Sequence, residues 1–169
     1  IQRKMTLRTE DTGKMFEYSL CRALDIPYDG KYKYEYPNQD LIDRLSSFNY
    51  TKWKHIASNG SPYDFIDEDG NYLSLKSTKG RNKKVAPQII GQVKKEKFCD
   101  LLKISHISEK DLKIYIRENI NNILSIFETH TFDCPVLYYN KKTNKILYIK
   151  QIKPINWDQY TMSWTNDFG

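Results

Sequence analysis

The sequence predicts one α/β domain in which helices flank a central mixed β-sheet. Its 169 residues correspond to about one domain, since domains average ~150 residues. Helical and strand patterns follow one another in the order helix, strands, helices, strands, which favours a mixed sheet covered by helices. The chain begins with Ile1 and shows no signal-peptide core, so we expect residues 1–169 to form a single domain of a longer chain.

Apolar residues at helical spacing predict four helices. The first spans Glu10–Asp25, where Asp11 or Thr12 provides a cap and Pro27 follows the end. A short helix is predicted over Asp40–Ser47 and another over about Gln92–Ile104. A longer helix is predicted to begin at Ser108 and to carry an apolar stripe as far as Phe127.

Strand patterns occur in three places along the chain. Tyrosines alternate with charged residues over Tyr32–Tyr36, as in a half-buried strand. Tyr63–Asp67 and Tyr72–Lys76 flank an Asp-Gly turn and predict a β-hairpin. Pro135–Tyr139 and Ile146–Ile152 predict a second hairpin.

The charge distribution favours a polyanionic partner. The chain carries 27 Lys and Arg against 21 Asp and Glu, for a net charge of +6. Eight cations lie in one stretch: Lys76, Lys79, Arg81, Lys83, Lys84, Lys94, Lys95 and Lys97. An acidic group lies just upstream: Asp64, Asp67, Glu68 and Asp69. Carboxylates bordered by lysines suit a cation-dependent phosphodiester site, because the carboxylates hold the metal while the lysines hold phosphates.

Other function classes are disfavoured by composition. The mean hydropathy is −0.72 and no apolar run approaches the ~20 residues of a membrane span. Cys21, Cys99 and Cys134 are odd in number and far apart, which argues against a disulfide scaffold and favours a reducing cytoplasm. The three histidines share no metal-ligand spacing with any cysteine, so we do not expect a zinc site.

The first predicted hairpin brings together groups that suit metal-dependent hydrolysis. Asp64 begins one strand and Lys76 lies near the end of its antiparallel neighbour, so both fall at the same end of the sheet. Ser74 and Lys76 are two residues apart and share a face, whereas Leu75 points into the core. Asp64 offers a hard oxygen ligand for Mg²⁺, and Lys76 offers an ammonium able to orient an attacking water.

These motifs resemble the PD-(D/E)xK nuclease superfamily, and within it the type II restriction endonucleases. The resemblance covers about Gly13 to Gln92. It includes Glu17 in the helix segment Gly-Lys-Met-Phe-Glu, Asp64 on the hairpin, and Lys76 followed by Ser-Thr. The later segment Val-Ala-Pro-Gln, leading to Gly-Gln, also fits. The resemblance implies a restriction-endonuclease-like core and a Mg²⁺-dependent, sequence-specific endonuclease of double-stranded DNA that works as a homodimer.

The resemblance also implies roles for individual residues. Asp64 would be a metal ligand, Glu17 an accessory carboxylate and second ligand, and Lys76 a water-orienting base or electrostatic stabiliser. Ser74 occupies the catalytic position where the family has a second acidic ligand. Glu17 supplying the missing charge is the explanation we favour. The alternatives are that Asp67 or Asp69 reaches the site, or that the chain is a catalytically inactive nuclease-fold module that only binds DNA.

The polar segment after the lysine strand is the predicted DNA contact. Its candidate phosphate contacts are Lys79, Arg81, Lys83 and Lys84. Gln88 and Gln92 are candidates for contacting phosphate or ordering water near the metal. A solvated loop followed by a solvated helix start explains the same residues.

Overall fold

The computed structural model describes residues 9–30, 38–48, 52–56, 62–80 and 94–164. The chain divides into two compact units. The sheet unit comprises the described residues of Ile1–Val85 and Cys134–Lys150, and the helical unit comprises those of Ala86–Asp133 and Gln151–Gly169. The strand predicted over Tyr32–Tyr36 lies outside the described residues, and the single-domain organisation stays a prediction.

The sheet unit contains a five-stranded mixed sheet with strand order β1-β2-β3-β4-β5, and the predicted fold class is confirmed. Its elements are α1 (Thr9–Ala23), α2 (Gln39–Leu45), β1 (Trp53–His55), β2 (Phe65–Asp67), β3 (Tyr72–Thr78), β4 (Val136–Asn140) and β5 (Lys145–Ile149). Only β3 and β4 run parallel, and the other neighbouring pairs are antiparallel. The helices of the helical unit lie between β3 and β4 in the chain, as a parallel connection requires.

The hairpin of β2 and β3 forms as its turn residues predict. Phe65 pairs with Leu73, and the turn contains Gly70 at a φ of 82°, which glycine adopts without strain. The Asp67 carboxylate accepts the backbone N–H groups of Asp69 and Asn71 at 3.0 and 2.7 Å. Asp67 therefore holds its own turn together.

The core of the sheet unit lies between α1, α2 and one face of the sheet. Phe16 and Leu20 of α1 are fully buried and belong to one cluster with Leu75 and Leu137 of the central strands. Since side chains alternate along a strand, Ser74 and Lys76 lie on the opposite face of β3 from Leu75. The predicted placement of these three residues is confirmed.

The helical unit contains α3 (Lys95–Leu102), α4 (Glu109–Glu118) and α5 (Ile120–Thr131). Ser108 caps α4 as predicted, because its hydroxyl accepts the N–H of Asp111. The prediction of one long helix from Ser108 is wrong. Asn119 separates α4 from α5, because its backbone (φ −119°, ψ 22°) leaves the helical conformation. The Tyr115 carbonyl accepts both the backbone N–H and the side-chain amide of Asn119, at 3.0 and 2.9 Å.

A buried carboxylate anchors the segment that follows the sheet. Glu128 on α5 accepts the backbone N–H of Ile155 and the indole N–H of Trp157, both at 2.7 Å, and also the side-chain amide of Gln151. These three donors fix residues 151–157 against α5. None of the helices in the described part of the chain has the length and apolar character to cross a bilayer.

Candidate active site

Asp64 lies directly before β2 and is held against β3. Its backbone N–H donates to the carbonyl of Leu73 at 3.2 Å. Its carboxylate Oδ2 accepts the backbone N–H of Leu75 at 2.6 Å and the hydroxyl of Ser74 at 3.3 Å. The hairpin therefore brings Asp64 beside the middle of β3, where its carboxylate contacts Ser74 and Leu75.

The environment of Asp64 disfavours its negative charge. Burial raises the pKa of Asp64 above its ordinary value, and the nearby charge of Glu17 raises that pKa further. The N–H of Leu75, the charge of Lys76 and the hydroxyl of Ser74 act in the opposite direction. The carboxylates of Asp64 and Glu17 thus repel each other where little water screens their charges. A bound cation would reduce this repulsion.

Glu17 reaches this place from α1. Its neighbour Phe16 is buried in the core, and the side chain of Glu17 is 19% exposed, so it lies at the border of the apolar face as predicted. Its Oε2 is 3.4 Å from Nε2 of His55. One turn further along α1, burial and the charge of Glu17 raise the pKa of the Cys21 thiol to about 12. Cys21 is therefore a neutral thiol near neutral pH.

Ser74 and Lys76 differ in how closely they approach Asp64. Ser74 is 2% exposed, and its hydroxyl donates to the Asp64 carboxylate. Lys76 forms no direct ion pair with Asp64, although its positive charge acts on the pKa of that carboxyl. The ammonium group is within electrostatic reach of the carboxylate without being bound to it.

The acidic residues of the hairpin turn, Asp67 and Asp69, lie away from Asp64 and Glu17. The Asp67 carboxylate is bound to the backbone of its own turn, at the opposite end of the hairpin from Asp64. Asp69 is exposed in the same turn. Across the described ranges, no three His, Cys, Asp or Glu side chains form a group suited to a metal ion. The acidic set is the pair of Glu17 and Asp64, with Ser74 beside it.

Lys79 is the described member of the predicted DNA-contact set. It is half-buried and directly follows the end of β3. The remaining members lie outside the described residues: Arg81, Lys83, Lys84, Gln88 and Gln92. Their assignment stays a prediction.

His55 is a neighbour of the site that sequence reasoning missed. It lies 38 positions from Glu17 in the chain, and β1 pairs His55 with Phe65, the residue after Asp64. No rule of sequence spacing links a histidine on a strand to a glutamate on a separate helix. The packing of α1 against the sheet creates this contact.

The chain is similar in sequence to a known restriction enzyme. The chain is 38% identical over 157 residues to the Type II restriction enzyme CviAII of Paramecium bursaria Chlorella virus 1. The chain resembles a type II restriction enzyme. The aligned region covers 90% of this chain and 46% of the viral enzyme, so the chain spans less than half the length of that relative. No family model matches the chain, and no solved structure matches it.

The similarity to CviAII supports a relationship to restriction endonucleases, as the motifs around Glu17, Asp64 and Lys76 predicted. The narrower assignment to the PD-(D/E)xK superfamily stays a prediction. Cys21, Cys99 and Cys134 are buried and are not disulfide-bonded.

Proposed function

We propose that this chain carries the catalytic site of a Mg²⁺-dependent endonuclease that hydrolyses double-stranded DNA at a specific sequence. The observation that carries the proposal is the Asp64 carboxylate, partly buried, fixed by the N–H of Leu75 and close to the charge of Glu17. The similarity to a type II restriction enzyme supports DNA as the substrate. The chain spans less than half of that enzyme, so we also propose, and do not infer from the similarity alone, that this protein cleaves DNA.

Each of the two carboxylates has one oxygen available to a magnesium ion. In the described structure, Asp64 Oδ1 and Glu17 Oε1 accept no hydrogen bond, whereas Asp64 Oδ2 and Glu17 Oε2 are engaged. Mg²⁺ takes one or two carboxylates together with water and substrate phosphate, so this sparse set is sufficient. We assign Asp64 and Glu17 as its ligands.

The chain's own groups then account for the remaining requirements of hydrolysis. Mg²⁺, when bound, supplies positive charge to the phosphate oxygens. Leu75 and Ser74 keep the Asp64 carboxylate in one orientation, which limits the reorganisation needed on substrate binding. The Lys76 ammonium, on the same face as Ser74, donates hydrogen bonds that orient a water or stabilise charge developing on the phosphate. The water attacks phosphorus in line as the opposite P–O bond breaks; the water gives up a proton to solvent, and the leaving oxygen takes one from solvent and departs as a hydroxyl.

The contacts with DNA extend beyond the scissile phosphate. We assign Lys79, Arg81, Lys83 and Lys84 to phosphate contacts on the strength of their charge and their position after β3. Gln88 and Gln92 complete the set as contacts to phosphate or ordered water. A homodimer would present two such sites to the two strands of the duplex.

The proposal is tested by incubating the natural protein with long DNA of varied sequence, in Mg²⁺ and in EDTA. We expect discrete fragments in Mg²⁺, intact DNA in EDTA, and no cleavage by Asp64→Asn. Asp69→Asn is the matched control, since it removes an exposed carboxylate from the hairpin turn and should leave cleavage unchanged. Equal cleavage by Asp64→Asn and wild type, or DNA binding without cleavage in Mg²⁺, would overturn the proposal. The second outcome would favour the inactive DNA-binding module.

A further inference from the structure

The imidazole ring of His55 is fully buried and contacts two aromatic rings. Its side chain is 0% exposed. The imidazole stacks on Tyr28 with ring centroids 4.7 Å apart and a 22° interplanar angle, and it is tilted against Phe65 at 4.9 Å. The ring therefore has one position, set by aromatic packing on both sides.

Both ring nitrogens of His55 are engaged, and they face different elements. The backbone N–H of Asp29 donates to Nδ1 at 2.9 Å. Since Nδ1 is the acceptor, the ring proton lies on Nε2, which faces Glu17 Oε2 at 3.4 Å. One tautomer satisfies both contacts, and the backbone at Asp29 selects it.

The contact with His55 is the one hydrogen bond that the Glu17 carboxylate makes within the described residues. Glutamate has three rotatable side-chain bonds, and α1 fixes only its backbone. We infer that His55 is a positioning residue, which holds Glu17 Oε2 so that Oε1 is directed to the space shared with Asp64. A buried imidazole that orients a carboxylate from behind acts on metal affinity without touching the metal.

This inference deepens the proposed function and rests on it, because it assigns His55 to the same metal site. Loss of a group that orients a metal ligand typically weakens metal binding by 10–100-fold. We therefore expect His55→Phe, which keeps an aromatic ring but no nitrogen, to weaken binding by about 10-fold.

Two further variants distinguish the contribution of Nε2 of His55 from that of Nδ1. His55→Gln keeps a donor near the Nε2 position, and we expect it to recover most of the lost affinity. His55→Asn keeps an acceptor near Nδ1 for the N–H of Asp29, and we expect it to resemble His55→Phe. His106→Phe is the matched control, because His106 also pairs with a carboxylate, Asp100 at 2.8 Å, but is exposed in the helical unit.

The experiment measures Mn²⁺ binding without DNA, by loss of the free-ion electron paramagnetic resonance signal, and DNA cleavage across a Mg²⁺ titration. Melting curves in EDTA verify folding of each variant. We expect weaker binding and a matching rise in half-activating Mg²⁺ for His55→Phe, and no additional effect of His55→Phe when Glu17→Gln is already present. Unchanged Mn²⁺ affinity in folded His55→Phe, or an equal further loss in the Glu17→Gln background, would overturn the inference.

The two measurements also separate this inference from the proposed function. Wild type that binds Mn²⁺ in a His55-dependent manner but never cleaves DNA would refute the endonuclease and retain the positioning role. Cleavage by wild type, together with Mn²⁺ binding that does not depend on His55, would support the endonuclease and refute the positioning role. Wild type that neither binds Mn²⁺ nor cleaves DNA would refute both.

Discussion

The Asp64 carboxylate accepts the backbone N–H of Leu75 at 2.6 Å, across the gap between β2 and β3. A backbone donor in the middle of a strand has little freedom to move, so this bond fixes the direction of the carboxylate. The same oxygen also receives the hydroxyl of Ser74. The other carboxylate oxygen, Oδ1, accepts no hydrogen bond from the residues that the structure describes.

Replacing Asp64 by asparagine should stabilise the protein when no divalent cation is present. Burial and the charge of Glu17 raise the pKa of Asp64, so its ionised form opposes folding. The effect is complete above the folded-state pKa and vanishes below the unfolded value of 3.8. We expect a higher melting temperature for Asp64→Asn in EDTA at neutral pH, and no difference in strong acid. A lower melting temperature at neutral pH would contradict this reading of the site.

Lys76→Ala should separate cleavage from DNA binding. Removing a donor aimed at developing charge costs about 100-fold or more in rate. Binding spreads over many phosphate contacts, so we expect retention of duplex DNA in Ca²⁺ to change little. Lys145→Ala, which removes an exposed lysine on β5, is the control and should cleave normally. Normal cleavage by Lys76→Ala would remove Lys76 from the mechanism.

Ser74→Glu tests whether the serine marks a lost metal ligand. Ser74 is buried and bonded to Asp64, so a glutamate there places a third negative charge beside two existing ones. We expect a lower melting temperature in EDTA, partial recovery with Mg²⁺, and no cleavage above the wild-type rate. A large gain in cleavage would instead identify the wild-type chain as a disabled nuclease that retains DNA binding.

The turn of the first hairpin should become less stable in acid. Hydrogen bonding to Asn71 lowers the pKa of Asp67, so its ionised form stabilises the folded state. This contribution is complete above the unfolded value of 3.8 and is lost as the pH falls through the lower folded-state pKa. We expect Asp67→Asn to be less stable than wild type in urea at neutral pH, with the difference disappearing in acid. Glu68→Gln is the control, and a pH-independent difference for Asp67→Asn would count against the account.

Local patterns were sufficient to predict the elements that carry the site. The Asp-Gly turn predicts the hairpin, and the antiparallel pairing of its strands predicts that Asp64 and Lys76 lie at the same end of the sheet. Periodicity also placed Glu17 at the border of α1, next to buried Phe16. Both inferences depend on residues that are close in sequence, where turn chemistry and helical spacing determine the geometry.

Contacts between distant segments could not be predicted in the same way. The apolar stripe from Ser108 continues without interruption, and the helix ends where the backbone of Asn119 leaves the helical conformation, with φ at −119° and ψ at 22°. The sequence around Glu128 indicates an ordinary polar helix residue. In the structure its buried carboxylate accepts hydrogen bonds from donors in residues 151–157. His55 contacts Glu17 because α1 packs on the sheet, and the two residues are 38 positions apart in the sequence. For Glu128 and His55, a hydrogen bond between distant segments determines the position of the side chain.

The central claim is that Asp64 and Glu17 hold one divalent cation. Anomalous diffraction from crystals grown with Mn²⁺ in place of Mg²⁺ tests it most directly. We predict one peak within coordination distance of Asp64 Oδ1 and Glu17 Oε1, absent from Asp64→Asn crystals grown in the same way. A fully occupied Mn²⁺ ion bound elsewhere, with these two oxygens unliganded, would contradict the claim.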